Sequence, residues 1–425
     1  MPETLSVIEP ATETEILKLA DLEAKAKTDS SPQLFDWQNR RVTEERFQWS
    51  ADSRLVLAYL QRDIFLIDVA AKTFKQLTAT KDAERDPKLA ADGKRVSFRR
   101  GSDLYVVDTA SGKETRLTRD GSRTLLNGQL DWVYPEELDL GTAHWWSPDS
   151  QHIAYLQFDI SPLGIYPHAD LLKLDTPQEP EYYPKAGSPN SKVRLGVVPA
   201  RGGKTVWIDL GDLSQSLVAR VRWTPDSKYV VAQKIARIQN EQTLLAGDPH
   251  NGKTHPILME SDPQWLNVHD IFHAIGRDQF LWASEKSGYR HLYLHSFDGK
   301  TEPKQLTSGD WEVSAVSCVD QKNRRVYFTS TEASPLERQL YWVSLDGGSR
   351  TRLTKAAGTH TVNMPPGCAF FVDSHSSLTE APRRAVARRR CCFNRPPSRQ
   401  RPATTPYRCA PVFLWITRGL LLALK

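Results

Sequence analysis

Apolar and polar residues alternate along this chain in short runs, and one turn signature punctuates those runs at near-regular intervals. SADSRLVLAYLQRDIFLIDVAAKTFKQLT, from Ser50, reads as a turn, an apolar strand, a short break, a second strand ending in Asp, a small-residue turn, and a strand closing on Leu-Thr. LAADGKRVSFRRGSDLYVVDTASGKETRLT, from Leu89, repeats the pattern. Asp-Ser or Asp-Gly supplies the hairpin turns, and the β-rich runs on either side supply the strands. The signature returns in WWSPDSQHIAYLQFD from Trp145, VRWTPDSKYVVAQKIA from Val221, DQFLWASEKSGYRHLYLHSFDGKTEPKQLT from Asp278 and NRRVYFTSTEASPLERQLYWVSLDGGSRTRLT from Asn323. A period of about forty residues matches one four-stranded propeller blade. A seventh unit opens near His360 and its grammar stops after PPGCAFFVDSHSS. The expected fold is all-β, a propeller of about seven blades with the last incomplete. A β-sandwich is the competing arrangement, but a sandwich need not repeat its turn at a near-fixed period. WD40 blades should show Gly-His early and Trp-Asp late, and neither mark recurs.

Two stretches leave the blade pattern: Asp120 to His144, containing LNGQLDWVYPEELDLGTAH, and the Pro-rich Phe158 to Arg194, ending in EYYPKAGSPNSKVR. Insertions between propeller strands are where function usually sits, because the sheets hold them rigidly. Near the start, Ile16, Leu19 and Leu22 among Ala, Glu and Lys predict a short surface helix. After Pro382 the alternation, the acidic residues and the turn grammar all end. The division expected is 1–40 as a helical or extended segment, 41–382 as the propeller, and 383–425 as an aberrant Arg/Pro/Cys-rich tail. That tail fits a genuine basic extension or out-of-frame translation, and its physics predicts an unstructured or aggregating segment.

With 425 residues, 39% hydrophobic and 25% charged, the chain can bury a core. Twelve Trp and thirteen Tyr suit pleated surfaces. The formal charge of +5 is misleading, because Arg383 to Lys425 carries ten Arg and one Lys against no Asp or Glu. The body is net acidic, so nucleic acid is not an expected partner. Cys318 and Cys368 lie in the body, while Cys391, Cys392 and Cys409 crowd the tail. No Cys/His spacing suggests zinc and no even framework suggests a disulfide scaffold, so no metal, no cofactor and reduced thiols are expected. The acidic N-terminus does not read as a signal peptide. Ala410 to Leu424 is under eighteen residues and contains Arg418, so it does not read as a membrane span. A cytoplasmic location is the expectation.

DWVYPEEL carries the candidate chemistry. Pro135 suits the first position of a helix, which places Glu136 and Glu137 in its first turn. Two unit charges about 4 Å apart at an effective dielectric of about 20 repel by roughly 4 kcal/mol, and a cation between them turns that cost into attraction. A peptide N-terminus, with a pKa of about 7.7 to 8.0, offers a charged group with three donors, which a mid-chain amide lacks. The pair can therefore recognise a chain end. The alternative is a solvated Glu-Glu on a surface helix.

DWVYPEELDLGTAHWWSPDSQHIAYLQFD resembles the double-Glu segment of the dipeptidyl peptidase IV family, within the prolyl-oligopeptidase-type serine peptidases. YYPKAGSPN, WLNVHD and SEKSGYRHLYL follow in the family's order and approximate spacing. The resemblance runs from about Arg41 to Pro382. It implies an eight-bladed propeller capping an α/β-hydrolase domain that releases X-Pro or X-Ala dipeptides from peptide N-termini. It gives Glu136 and Glu137 the substrate ammonium, although Pro135 stands where the family has Glu or Gln. By blade position Arg62 matches the family's carbonyl-binding Arg, and Trp265 and Asn267 fall in a cavity-lining segment, while Tyr289, Arg290 and His291 shape a blade. The family's catalytic Ser should sit in a G-x-S-x-G elbow, followed by Asp and His. No such pentapeptide occurs, so no catalytic residue is assigned and the chain alone is not expected to cleave peptides. The expected role is substrate gating and ammonium recognition, in a chain truncated before its hydrolase domain. The expected partners are peptide N-termini, with a hydrolase domain in trans or a homodimer. A non-catalytic interaction scaffold is the rival reading.

Overall fold

The recurring turn has one physical construction. Ser50 Oγ donates to Asp52 Oδ1 (2.6 Å) and accepts from the Leu55 N–H (2.9 Å), while Arg54 N–H donates to Asp52 Oδ1. Ser147 with Asp149 and His152, and Thr224 with Asp226 and Tyr229, repeat it. In each case the side chains satisfy backbone groups that the reversal leaves without ladder partners. The Leu-Thr ending is equally explicable. Thr78, Thr118, Thr307 and Thr354 each accept, on the hydroxyl, the buried N–H of Ile64, Leu104, Leu292 and Leu340, at 2.8–3.0 Å. The preceding Leu77, Leu117, Leu306 and Leu353 donate back to the carbonyls of those same residues at 2.8 Å. The outermost strand is thereby tied to the start of the third.

The computed structural model describes residues 4–9, 12–27, 44–169, 171, 174–175, 178–388 and 413–416. Two compact units divide it, the first centred on residues 15–268 and the second on 269–415. The first contains four successive antiparallel sheets. Phe47–Trp49, Leu55–Leu60, Asp63–Asp68 and Thr73–Gln76 form one, and Glu84–Leu89, Arg95–Arg100, Asp103–Asp108 and Glu114–Arg116 the next. The third has five strands, Leu125–Asn127, His144–Trp146, His152–Asp159, Lys192–Pro199 and Val206–Ile208, and the fourth runs from Ser216–Trp223 to Thr254–Ser261. The second unit adds a four-stranded sheet from Phe272–Ile275 to Lys304–Gln305 and another from Val313–Asp320 to Thr351–Arg352. Thr359–Asn363, Phe370–Ser376 and Arg383–Arg388 form its three-stranded sheet. These meanders are propeller blades, and the last one has three strands, as the repeat analysis expects.

Arg383–Arg388 lies beyond Pro382, inside the stretch read as tail, and Phe413–Ile416 is also a strand. The remainder of that stretch, with Cys391, Cys392, Cys409 and Arg418, lies outside the described residues, as do residues 28–43. The N-terminal helix, α1, spans Leu19–Glu23 and buries Leu19 and Leu22, while Ile16 is buried on the preceding strand. The Pro-rich excursion contains a hairpin, Gly164–Ala169 paired with Gln178–Tyr183, set between two strands of the third blade.

One cysteine expectation is corrected. Cys318, on a strand, and Cys368, in the turn before the next sheet's middle strand, are joined by a disulfide across fifty residues of sequence. Short-range spacing is blind to such a pair, because only the packing of successive blades brings the two sulfurs together.

Candidate functional site

The segment with Glu136 and Glu137 is extruded from the third blade. Leu125–Asn127 and His144–Trp146 both pair with His152–Asp159, matching Asn127 to Gln157 and His144 to Tyr155. Between them Gly128 N–H donates to the Leu156 carbonyl and Leu156 N–H donates to the Ala143 carbonyl, each at 2.9 Å. Both ends of the excursion are therefore pinned to one residue. Gly128 is required there: its φ is +66°, and a Cβ would fall 2.6 Å from Leu104 Cδ2. Buried amides secure the exit. Asn127 Nδ2 donates to Asp103 and Asp120, and Gln157 Nε2 to Asp120 and Asn127, at 2.8–3.1 Å.

Within the excursion, helix α2 spans Val133–Leu138. It begins two residues before the expected start, so Pro135 is third in the helix and Glu136, but not Glu137, falls in its first turn. The position is still permitted, since the first turn's N–H groups have no intrahelical partner. Asp131 Oδ1 accepts the Tyr134 N–H (3.2 Å) and Asp131 Oδ2 accepts from Ser191 Oγ (2.5 Å). Burial pushes the Asp131 carboxyl up to about 6, although these hydrogen bonds act to lower it. Tyr134 is fully buried edge-on against Phe158, with ring centres 4.8 Å apart, and its hydroxyl accepts the Val218 N–H (3.1 Å). At the other end Arg220 Nη1 donates to the Leu138 carbonyl (2.7 Å), satisfying a group that a helix terminus leaves open. Asp139 ends the helix in the left-handed region, φ +49°.

Glu136 is half-buried and Glu137 exposed, on adjacent positions of this anchored turn. A cavity of about 240 Å³ lies beside the helix entrance, with Arg123, Gln129, Asp131, Trp132, Glu181 and Tyr182 in its wall. Another of about 620 Å³ is lined by the end of the YYPKAGSPN segment, Gly187 to Asn190, together with Ser191, Asp212 and Arg237. Neither lining includes Glu136 or Glu137.

Arg62 sits at the tip of a two-residue hairpin in the first blade, where Gln61 and Arg62 both have positive φ, +49° and +64°. The connection from Leu60 to Asp63 is thus a tight two-residue turn. Trp265 is 52% exposed on a loop whose backbone bonds to Asp262, so the indole is not core. Asn267, two residues on, is exposed. Arg290 pairs with Glu285 (2.9 Å), and His291 bonds Thr307 and the Gly309 carbonyl, so these two hold their blade while Tyr289 stands exposed. Sequence reasoning overlooked Asp131, Tyr134 and Arg220. Asp131 was findable, as an acidic residue just before a helix start; Arg220 is remote in sequence and carries no local signal.

The profile of the dipeptidyl peptidase IV (DPP IV) N-terminal region matches residues 50–382. The chain belongs to the dipeptidyl peptidase IV family. A probable dipeptidyl peptidase 4 of Aspergillus flavus is 32% identical over 306 residues, covering 66% of this chain and 39% of that protein. A probable dipeptidyl peptidase 4 of Neosartorya fischeri is 32% identical over 301 residues, with the same coverage. The chain thus spans well under half the length of these dipeptidyl peptidase IV relatives. The crystal structure of Porphyromonas gingivalis dipeptidyl peptidase 4 superposes with a TM-score of 0.76 at 23% identity, covering 88% of this chain and 53% of that one. That likeness establishes the dipeptidyl peptidase IV fold over the blades. Among the described residues, no helix is long and apolar enough to cross a membrane.

Proposed function

We propose that Glu136 and Glu137 bind the free ammonium group of a peptide, making this chain the substrate-gating propeller of a dipeptidyl-peptidase-IV-type serine exopeptidase acting on X-Pro or X-Ala termini. The carrying observation is the anchored helix: two consecutive carboxylates stand on a turn fixed from below by Asp131, Tyr134 and Arg220. Preorganised acceptors lose little entropy on meeting a cation. The scissile bond would then lie a fixed two residues from the anchor, with the nucleophile supplied by an α/β-hydrolase domain. Family membership supports a peptide substrate.

The test is binding of Ala-Pro- and Gly-Pro-initiated peptides to the chain, measured calorimetrically with free and acetylated N-termini. Free termini should bind and acetylated ones should not. Glu136→Gln or Glu137→Gln should each weaken binding roughly ten- to a hundredfold, the range for a hydrogen bond to a charged partner. Binding should also decline as pH rises through about 8, where the amine loses its proton. Equal affinity for the acetylated peptide would reject the assignment.

A further inference from the structure

In the last blade, His360 and His375 face each other across two strands, and Asp373 lies on the same face two residues before His375. The rings stack with centres 5.0 Å apart and planes within 15°. His360 Nε2 donates to the Ala356 carbonyl (3.0 Å), which leaves its Nδ1 directed at both Asp373 oxygens, 2.9 and 2.8 Å away. His375 Nδ1 lies 3.8 Å from Asp373 Oδ2, shielded from water and without a hydrogen-bond partner. Its Nε2 faces Glu380 Oε2 at 4.0 Å.

This arrangement has the logic of a coordination site. A ligating imidazole usually gives its second N–H to a carbonyl or carboxylate, which fixes the tautomer and turns the other nitrogen's lone pair inward. Ala356 is such a partner to His360, and Glu380, 4.0 Å from His375 Nε2, lies one side-chain adjustment from the same role. The inward atoms are then two ring nitrogens and a carboxylate oxygen, all acceptors, and all within 4.8 Å of one another. Tetrahedral bonds of about 2.0–2.1 Å give ligand-to-ligand edges of roughly 3.3 Å, so one ring must turn out of the stack for both lone pairs to meet a shared ion. A second N–H on His360 alone would satisfy Asp373 as well as Ala356, but it would leave the buried Nδ1 of His375 without a partner. One divalent ion resolves all three lone pairs.

We propose that His360, Asp373 and His375 form a binding site for a borderline-soft divalent cation, zinc by its nitrogen and carboxylate donors, which cross-links the first two strands of the three-stranded blade. Cysteine spacing could not reveal it, because the ligands meet through strand pairing.

The experiment is titration of the untagged full chain, its free thiols alkylated, with Zn²⁺ by calorimetry and with Co²⁺ by visible absorption. One saturable equivalent is expected, with Co²⁺ bands characteristic of nitrogen and oxygen ligands and a raised melting temperature. His375→Gln, whose ring is the least buried of the three groups, should keep the circular dichroism spectrum and weaken binding more than roughly a hundredfold, beyond the loss typical of an outer partner. Asp373→Asn should do the same. Failure to bind one equivalent, or unchanged binding in His375→Gln, would overturn the proposal.

Discussion

Asp131 shows how much one buried carboxyl can govern. Its proton is held more tightly in the folded chain, at about 6, than at the ordinary value of 3.8. The stabilisation it confers is therefore complete below about pH 4 and is lost as pH rises through about 6, a change of up to roughly 3 kcal/mol. Asp131→Asn keeps an acceptor for the Tyr134 N–H and can donate to Ser191 Oγ. Urea unfolding at pH 4.5 and 7.5 should show the Asn variant gaining on the wild type by on the order of 2 kcal/mol at the higher pH. Parallel behaviour at both values would mean that the carboxyl is solvated. A contrasting residue is His144, which burial, reinforced by the nearby charges of Lys88 and Arg99, holds well below the usual imidazole range. It bonds Ser97 through Nε2 (3.1 Å) in the neutral form.

At the scale of the element, the blades were legible because each depends on local grammar. The Ser/Thr-x-Asp turns and the Leu-Thr endings are side chains bonding backbone within the same sheet, so their spacing survives in the sequence. Thr118 tests this: its hydroxyl accepts from Leu104 N–H (3.0 Å) and donates to buried Asp103 (2.6 Å). Thr118→Val preserves shape but leaves the buried Leu104 N–H unsatisfied and removes one of the several donors that Asp103 accepts, and should cost about 1–3 kcal/mol in chemical denaturation. No loss would show that the repeat is not a structural tie. The excursion was legible only as a departure. Its ends, Leu125–Asn127 and His144–Trp146, are strands of the blade itself, each only three residues long and too short to show alternation. The anchoring of α2 by Val218 and Arg220, more than eighty residues away in sequence, is tertiary and left no local mark.

Across the whole molecule, long-range pairings are what composition conceals. The Cys318–Cys368 disulfide belongs to the second unit, and closing a loop of that length is worth about 4 kcal/mol by chain entropy and typically 2–4 by measurement. Replacing both cysteines with Ser should lower the melting temperature of that unit. Non-reducing peptide mapping should recover the Cys318 and Cys368 peptides as one linked species, and finding them separate would contradict the bond. The recurring ties and the pinned excursion together have an evolutionary consequence. Because Gly128 and Ala143 meet at a single point, Leu156, whatever lies between them is neutral to strand register. A segment of another length or sequence can be exchanged there, provided that it refills the hollow occupied by Tyr134 and Leu138. The scaffold can thus accept a different insert without relearning how to fold.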